Sequence, residues 1–434
     1  MKTLMLWLLF MIAIAFVIKG YIVNADVSDD KNDRYEATIS KSYLDSMVLP
    51  KHIIVNFDSA NKTQILNKQG EFFDDFIDNL SKAFDALSSF EKVDYSAIDD
   101  IYSAKWISLI FNDMPGVYIA SLAGIKNDNL TSLENIKEIY QLSDSKITYI
   151  KTQDAVYELK SKFNNELGID SLQNSMYQRY FPIFYPINEN KNLLLPIKPD
   201  MYMQKLSSRN LIENSSVSTV AKNIFRENFD FTSSIVQKDG IYFYSYNNGQ
   251  QVLKISSDAM IEYKNSKYGA SKTNYEDAFN CLSIFLRNLE IEPDMLKIQR
   301  VYEVIEDGVQ KIRFELIGKH IGISVVSDKG ASVVDVVGKS VVHAKMSLLY
   351  ADDYDGKIFS LSNPRNVLNN NLDFLQRLMM NRDSGQLIRQ IRDINLLYFY
   401  DGKGTYIPCW AFEIGGYVIF FDAQDGELVH YAVV

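Results

Sequence analysis

The sequence predicts an α+β protein: extracytoplasmic domains of antiparallel sheets packed with helices, carried behind an N-terminal transmembrane helix. Three observations predict it. The chain opens on an apolar run of spanning length. Its later strands are punctuated by hairpin turns such as Asn247-Asn248-Gly249, Gly415-Gly416 and Asp425-Gly426, which join antiparallel neighbours. Its amphipathic helices stand before runs of strands instead of alternating with them one by one.

Composition bounds the rest. At about 150 residues per domain, 434 residues suggest roughly three domains. Apolar residues at 47% and aromatics at 13% suffice for several cores, which excludes a disordered chain. A net charge of −10 and a pI near 5.1 argue against a nucleic-acid partner, because phosphate contact requires a basic face. Two cysteines and four histidines exclude a Cys-rich zinc module or a disulfide-dense scaffold.

The first element is the membrane anchor, residues 1–25. Leu4 to Ile18 is uninterruptedly apolar and reaches about 22 Å as a helix; continued through Val23 it reaches about 30 Å, the thickness of a hydrocarbon core. Leu4, Trp7, Leu8, Phe10, Phe16 and Ile18 are its lipid-facing or packing residues, and Lys19 can snorkel to the outer interface. Lys2 on one side and Asp26, Asp29 and Asp30 on the other place the N-terminus inside and the bulk outside. The chain is thus expected in the cell membrane as a single-pass protein. The rival reading is a signal peptide cleaved after Val23-Asn24-Ala25. Residues 1–25 hold two lysines and no acid, so the outer part carries −12.

Residues 26–45 read as a polar tether. An N-terminal α+β domain, 46–190, begins with the strand at 52–57. Phe72, Phe73, Phe76, Leu80, Phe84 and Leu87 then mark an amphipathic helix. Strands are expected at 106–111, 117–120 and 147–150, with a helix over 132–140. A central β-meander, 195–268, holds a helix near 218–228 and strands at 233–237, 241–246, 251–255 and 261–263. The C-terminal part, 270–434, shows an internal echo. A helix over 274–289 precedes hairpins, and a second helical block, 367–380 with 387–394, precedes another set.

Catalytic and metal motifs are absent or weak. Gly402-Lys403-Gly404-Thr405 lacks the order of a phosphate loop and reads as a hairpin turn. Asp352-Asp353-Tyr354-Asp355-Gly356 lacks carboxylates at the first and last positions of a calcium loop, leaving an exposed acidic loop. His52, His320, His343 and His430 stand apart, with no ligand spacing. Neither a Gly-x-Ser-x-Gly elbow nor a penicillin-enzyme set accompanies Ser143-Asp144-Ser145-Lys146. No cofactor is expected, and the chain reads as a non-enzyme. Cys281 and Cys409 can be read as a bridge, worth about 4–5 kcal/mol for so long a loop, or as two buried thiols on a helix face and in a strand.

The layout resembles the YycH family of regulators of the WalK/WalR (YycG/YycF) two-component system. The residues that carry the resemblance are an anchor followed by Pro50-Lys51-His52-Ile53-Ile54-Val55; the middle stretch Asn223-Ile224-Phe225, Ile241-Tyr242 to Gly249, Val252-Leu253 and Ile261-Glu262-Tyr263; and the ending Tyr406 to Phe412 with Phe421 to Glu427. That ending is similar to those of YycH and YycI, and looks PepSY-like. The resemblance implies a membrane-anchored regulator that adjusts a cell-wall sensor histidine kinase through protein contacts. Its implied partners are a WalK/YycG-like kinase, a YycI-like protein and the membrane. In the anchor the small residues Ala13, Ala15 and Gly20 make no Gly-x-x-x-Gly spacing, so a helix contact would be Leu/Phe-rich. The alternatives are a secreted or anchored module binding a peptide or cell-wall ligand, and an extracytoplasmic cell-wall hydrolase.

Overall fold

The computed structural model describes residues 41–433 apart from 58–61, 66–68, 171–182, 188–189, 199–201, 215, 269–272, 353–355 and 382. The anchor residues Leu4, Trp7, Leu8, Phe10, Phe16 and Ile18, the tether up to residue 40 and most of the acidic loop lie outside the described residues. Among the described residues no helix is long and apolar enough to cross a membrane.

The first sheet has nine strands in antiparallel pairing. Its order in space is Leu87–Val93, Val156–Ser161, Ile147–Thr152, Ile136–Leu142, Trp106–Met114, His52–Asn56, Lys62–Gln64, Ile183–Ile187 and Asn190–Lys198. Side chains alternate across it, as the pleat requires. Ile53, Val55, Ile107 and Leu109 enter the main core, whereas Ile54 and Trp106 join Ile98, Tyr140 and Tyr149 on the other face. Helix α1, Gln69–Asp85, covers the first face with Phe73, Phe76, Ile77, Leu80 and Phe84, all buried. Their spacing of three and four makes this stripe legible from sequence.

Leu87, expected on the stripe of α1, lies beyond its end at Asp85 and begins the strand Leu87–Val93. Two further expected elements of this sheet differ in the structure. Residues 117–120 belong to helix α2, Gly116–Ala123, not to a strand. Pro115 occupies its N-cap and Gly124, in a left-handed conformation with φ +65°, ends it. A four-residue apolar run has the same appearance in a buried helix and in a buried strand. Conversely, the helix expected over 132–140 is largely the strand Ile136–Leu142, paired with Trp106–Met114 and Ile147–Thr152. Ile136, Ile139 and Tyr140 imitate a helical stripe because this strand is buried on both faces.

The second sheet has fifteen strands. The meander Ser233–Val236, Tyr242–Tyr246, Gln251–Ile255 and Met260–Asn265 forms one edge, with Tyr244 opposite Leu253 and Leu253 opposite Tyr263. Met260–Asn265 pairs in turn with Ser340–Ser347, so the meander is hydrogen-bonded directly into the C-terminal sheet. Ser332–Val337, Val309–His320 and Leu296–Glu306 complete this first half. The second half runs through Ile391–Tyr400, Thr405–Ile414, Tyr417–Asp422 and Leu428–Val433. The two halves join through Ile323–Val326, which pairs in parallel with Ile391–Tyr400, Val325 facing Tyr398.

Each half carries its own helices. Helix α3, Val217–Phe225, is capped by the Ser216 hydroxyl. Helix α4, Tyr275–Asn288, is capped by Asn274, whose Oδ1 accepts from the Asp277 N–H at 2.7 Å. Ala278, Phe279, Leu282, Phe285 and Leu286 of α4 are buried. The second half is covered by α5, Pro364–Asn370, α6, Leu372–Leu378, and α7, Ser384–Arg389. The helix expected over 387–394 stops at Arg389, and Ile391 already begins a strand. A bulge between Ile391 and Asp393 breaks the alternation there, so Ile391 and Ile394 share one core at a helix-like spacing. Helix-then-hairpins therefore occurs twice, as the sequence echo suggests.

The main core runs without a break from the first sheet into the first half of the second. The Tyr118 hydroxyl of α2 donates to the Tyr275 carbonyl of α4 at 2.8 Å, and its ring meets Phe279 edge-on at 5.4 Å. Near the start of the described chain, the Tyr43 hydroxyl donates to the Ile291 carbonyl at 2.7 Å.

Candidate functional site

The feature that gathers residues from both sheets is a polar junction beside a cleft. Lys51 stands just before the strand His52–Asn56, held there by its own N–H, which donates to the Ile110 carbonyl at 2.6 Å. Asp393 follows the bulge that opens Ile391–Tyr400. One oxygen of Asp393, Oδ2, takes the Lys51 ammonium and a hydrogen bond of 2.5 Å from Asn395 Nδ2. The other, Oδ1, lies 3.1 Å from His52 Nε2. Gln64 Nε2 lies 2.7 Å from His52 Nδ1 and can only donate, so Nδ1 accepts and Nε2 carries the proton towards Asp393. Burial alone would raise the Asp393 carboxyl, but His52 and Lys51 beside it outweigh burial and hold it far below the usual carboxylate range.

A cleft of about 330 Å³ opens next to this junction. The first sheet contributes Lys51 and Met114, the first half of the second sheet Lys297, and the second half Asp393, Leu397 and Phe420. Lys297 is 6% exposed. Burial, reinforced by Lys51 and Lys319, lowers its ammonium to about 8. Among the described residues no carboxylate pairs with it. An adjoining groove contains Lys319, whose Nζ donates to the Ser46 carbonyl at 2.6 Å and which burial likewise lowers to about 8. On the same interface Arg300 Nε donates to Asp113 Oδ2 at 3.2 Å, and Lys137 pairs with the same carboxylate. Asp113 owes its aim to a left-handed φ of +56° within an irregular stretch of its strand.

The remaining candidates are dispersed. Cys281 and Cys409 are not bridged to one another in the structure, which matches the second of the two readings. Cys281 lies half-buried on α4 against the main core, while Cys409 lies in a different cluster with Leu397 and Phe399. Burial pushes the Cys409 thiol well above its ordinary range. His430 stacks on Phe399 at 5.3 Å, and His343 lies 3.7 Å from Asp335. Asp335 is buried, which would raise it, but a two-pronged bond from Arg313 brings it down to about 2. Among the described residues no cluster of His, Cys, Asp and Glu could hold a metal ion.

Sequence reasoning placed His52 in a strand but missed its partners, because Asp393 lies 341 positions away. Nothing local marks Lys51, Lys297, Asp393 or Asn395.

No protein-family profile and no curated protein matches the sequence. Solved structures do. The crystal structure of YycH from Bacillus subtilis superimposes with a TM-score of 0.58 at 14% identity, over 87% of this chain and 96% of that one. The chain has a YycH-like fold. An uncharacterized protein from Eubacterium rectale (TM-score 0.36, 16% identity) covers 57% of this chain and 93% of its own. The C-terminal domain of Bacillus megaterium YpeB (TM-score 0.29, 13% identity) covers 51% and 97%. The likeness to YycH extends over most of the chain, beyond the short motifs visible in sequence.

Proposed function

We propose that this chain is a membrane-anchored extracytoplasmic regulator of a cell-wall sensor histidine kinase, acting by contact and without chemistry of its own. The observation that carries the reading is the YycH-like fold over most of the chain. It is supported by the apolar run Leu4 to Ile18, which continued past Lys19 to Val23 is long enough to span a bilayer as a helix. In this reading the anchor packs against kinase helices in lipid, while the ectodomain fixes geometry outside. A WalK/YycG-like kinase and a YycI-like protein are the partners. The continuous core from α2 to α4 supports transmission, because packed interiors move as bodies instead of deforming locally. Phe231, Ile235 and Val236 stay largely exposed at the edge of the second sheet, an apolar surface suited to protein contact.

Affinity purification of the full chain from membranes in mild detergent tests this. The expected result is a membrane-bound, unprocessed chain that brings down a sensor histidine kinase or a YycI-like protein. A soluble product lacking residues 1–25, or an intact membrane-bound chain that captures neither partner, overturns the reading.

A further inference from the structure

Lys297 is a buried ammonium without a carboxylate partner among the described residues, and it lines a cleft. Burying a cation costs several kcal/mol unless a counter-charge meets it. Asp393, which lines the same cleft, is already engaged by Lys51, His52 and Asn395. The space beside Lys297 is open, not filled by a side chain, and at about 330 Å³ it falls at the small end of ligand pockets. Its wall combines the apolar residues Met114, Leu397 and Phe420 with the polar residues Asn112, Gln299 and Asn395. That is the composition of a small-molecule site: mostly apolar, with a few convergent polar groups.

We propose that this cleft binds a small amphipathic carboxylate, its anionic head at Lys297 and its apolar body along Met114, Leu397 and Phe420. Among the described residues no arginine lines the cleft, which suits a monoanion at Lys297 better than a phosphate, since phosphate favours bidentate guanidinium contacts. Lys51, Asp328, Asp393, Glu413 and His430 are the other charged or titratable groups lining this space, and Asp45, Arg209, Asp294, Lys319, His320 and Asp352 line the adjoining groove. Asp328 and Glu413 repel an anion and are both more exposed than Lys297, so the buried Lys297 is where a carboxylate gains. Because the Lys297 ammonium is lowered to about 8, binding should weaken as pH rises through that value. Binding here is a property of the chain itself and does not rest on the kinase reading.

The test is calorimetric and ligand-detected NMR titration of the full chain in lipid nanodiscs. The probes are 4-phenylbutyrate, hexanoate and butyrate, against 4-phenylbutyramide and 4-phenylbutylamine. Saturable binding of carboxylates, absent for the amide and the amine, is expected. Lys297→Met should lower affinity by about tenfold or more, and Lys297→Arg should retain most of it. Should the methionine variant fail to fold, Ser327→Trp, which fills the cleft wall, should abolish binding instead. Equal binding of acid and amide, affinity unchanged in either Lys297→Met or Ser327→Trp, or no saturation by any of the three carboxylates at millimolar concentration overturns the proposal.

Discussion

His52 and Asp393, 341 positions apart, meet across 3.1 Å where the first sheet touches the last half of the second. The contact is one arm of a four-way junction with Lys51, Asn395 and, through the imidazole, Gln64. It fastens the two sheets by charge at the place where the cleft opens, while the aromatic contacts of Tyr118 fasten them elsewhere.

Removing the carboxylate is therefore expected to be costly. Asp393→Asn leaves the Lys51 ammonium, which lies near that of Lys297, without its counter-charge, and breaking such a pair costs about 3 kcal/mol. Urea unfolding at neutral pH checks this. The double variant Asp393→Asn with Lys51→Met should recover part of the loss, because it removes the stranded cation. A change below a few tenths of a kcal/mol in the single variant would show that the junction adds nothing to stability.

The buried lysines predict the alkaline side of the stability profile. Lys297 and Lys319 titrate near 8 when folded, against about 10.4 for an unfolded lysine. Between those values the unfolded chain binds more protons than the folded one, so stability rises with pH across that window. At pH 7 the charged form of Lys297 is a liability. Lys297→Met should raise the unfolding midpoint at pH 7 and flatten the rise between about pH 8 and 10, leaving the part due to Lys319. Denaturant titrations at pH 7, 8, 9 and 10 measure both effects; an unchanged slope in the variant would contradict the placement of Lys297.

The cysteines predict a redox-indifferent fold. A bridge closing so long a loop would contribute about 4–5 kcal/mol, lost on reduction. Since Cys281 and Cys409 occupy different cores, reductant should leave the melting temperature unchanged. Cys409, fully buried with a raised thiol, should react with a thiol reagent only after unfolding. A reductant-dependent melting temperature would reverse this assignment.

Local periodicity alone sufficed for α1 as far as Phe84, for the meander and for α4, though it carried Leu87, which begins a strand, into the helix. The stripe Phe73, Phe76, Leu80 and Phe84, the turn Asn247-Asn248-Gly249 and the cap Asn274 each act within a few residues. Elements buried on two sides were not legible in this way. Ile136–Leu142 carried a false helical stripe, and α2 was hidden in a short apolar run.

The sequence by itself determined the α+β class, the hairpin-rich halves, the acidic charge and the apolar N-terminal run, because those are properties of composition and short-range spacing. Only the tertiary structure decided that the meander joins the C-terminal sheet, that the cysteines stay apart, and that Lys51, His52, Lys297 and Asp393 surround one cleft. Such convergence depends on how sheets pack and where bulges aim individual side chains, and each of those depends on residues hundreds of positions away.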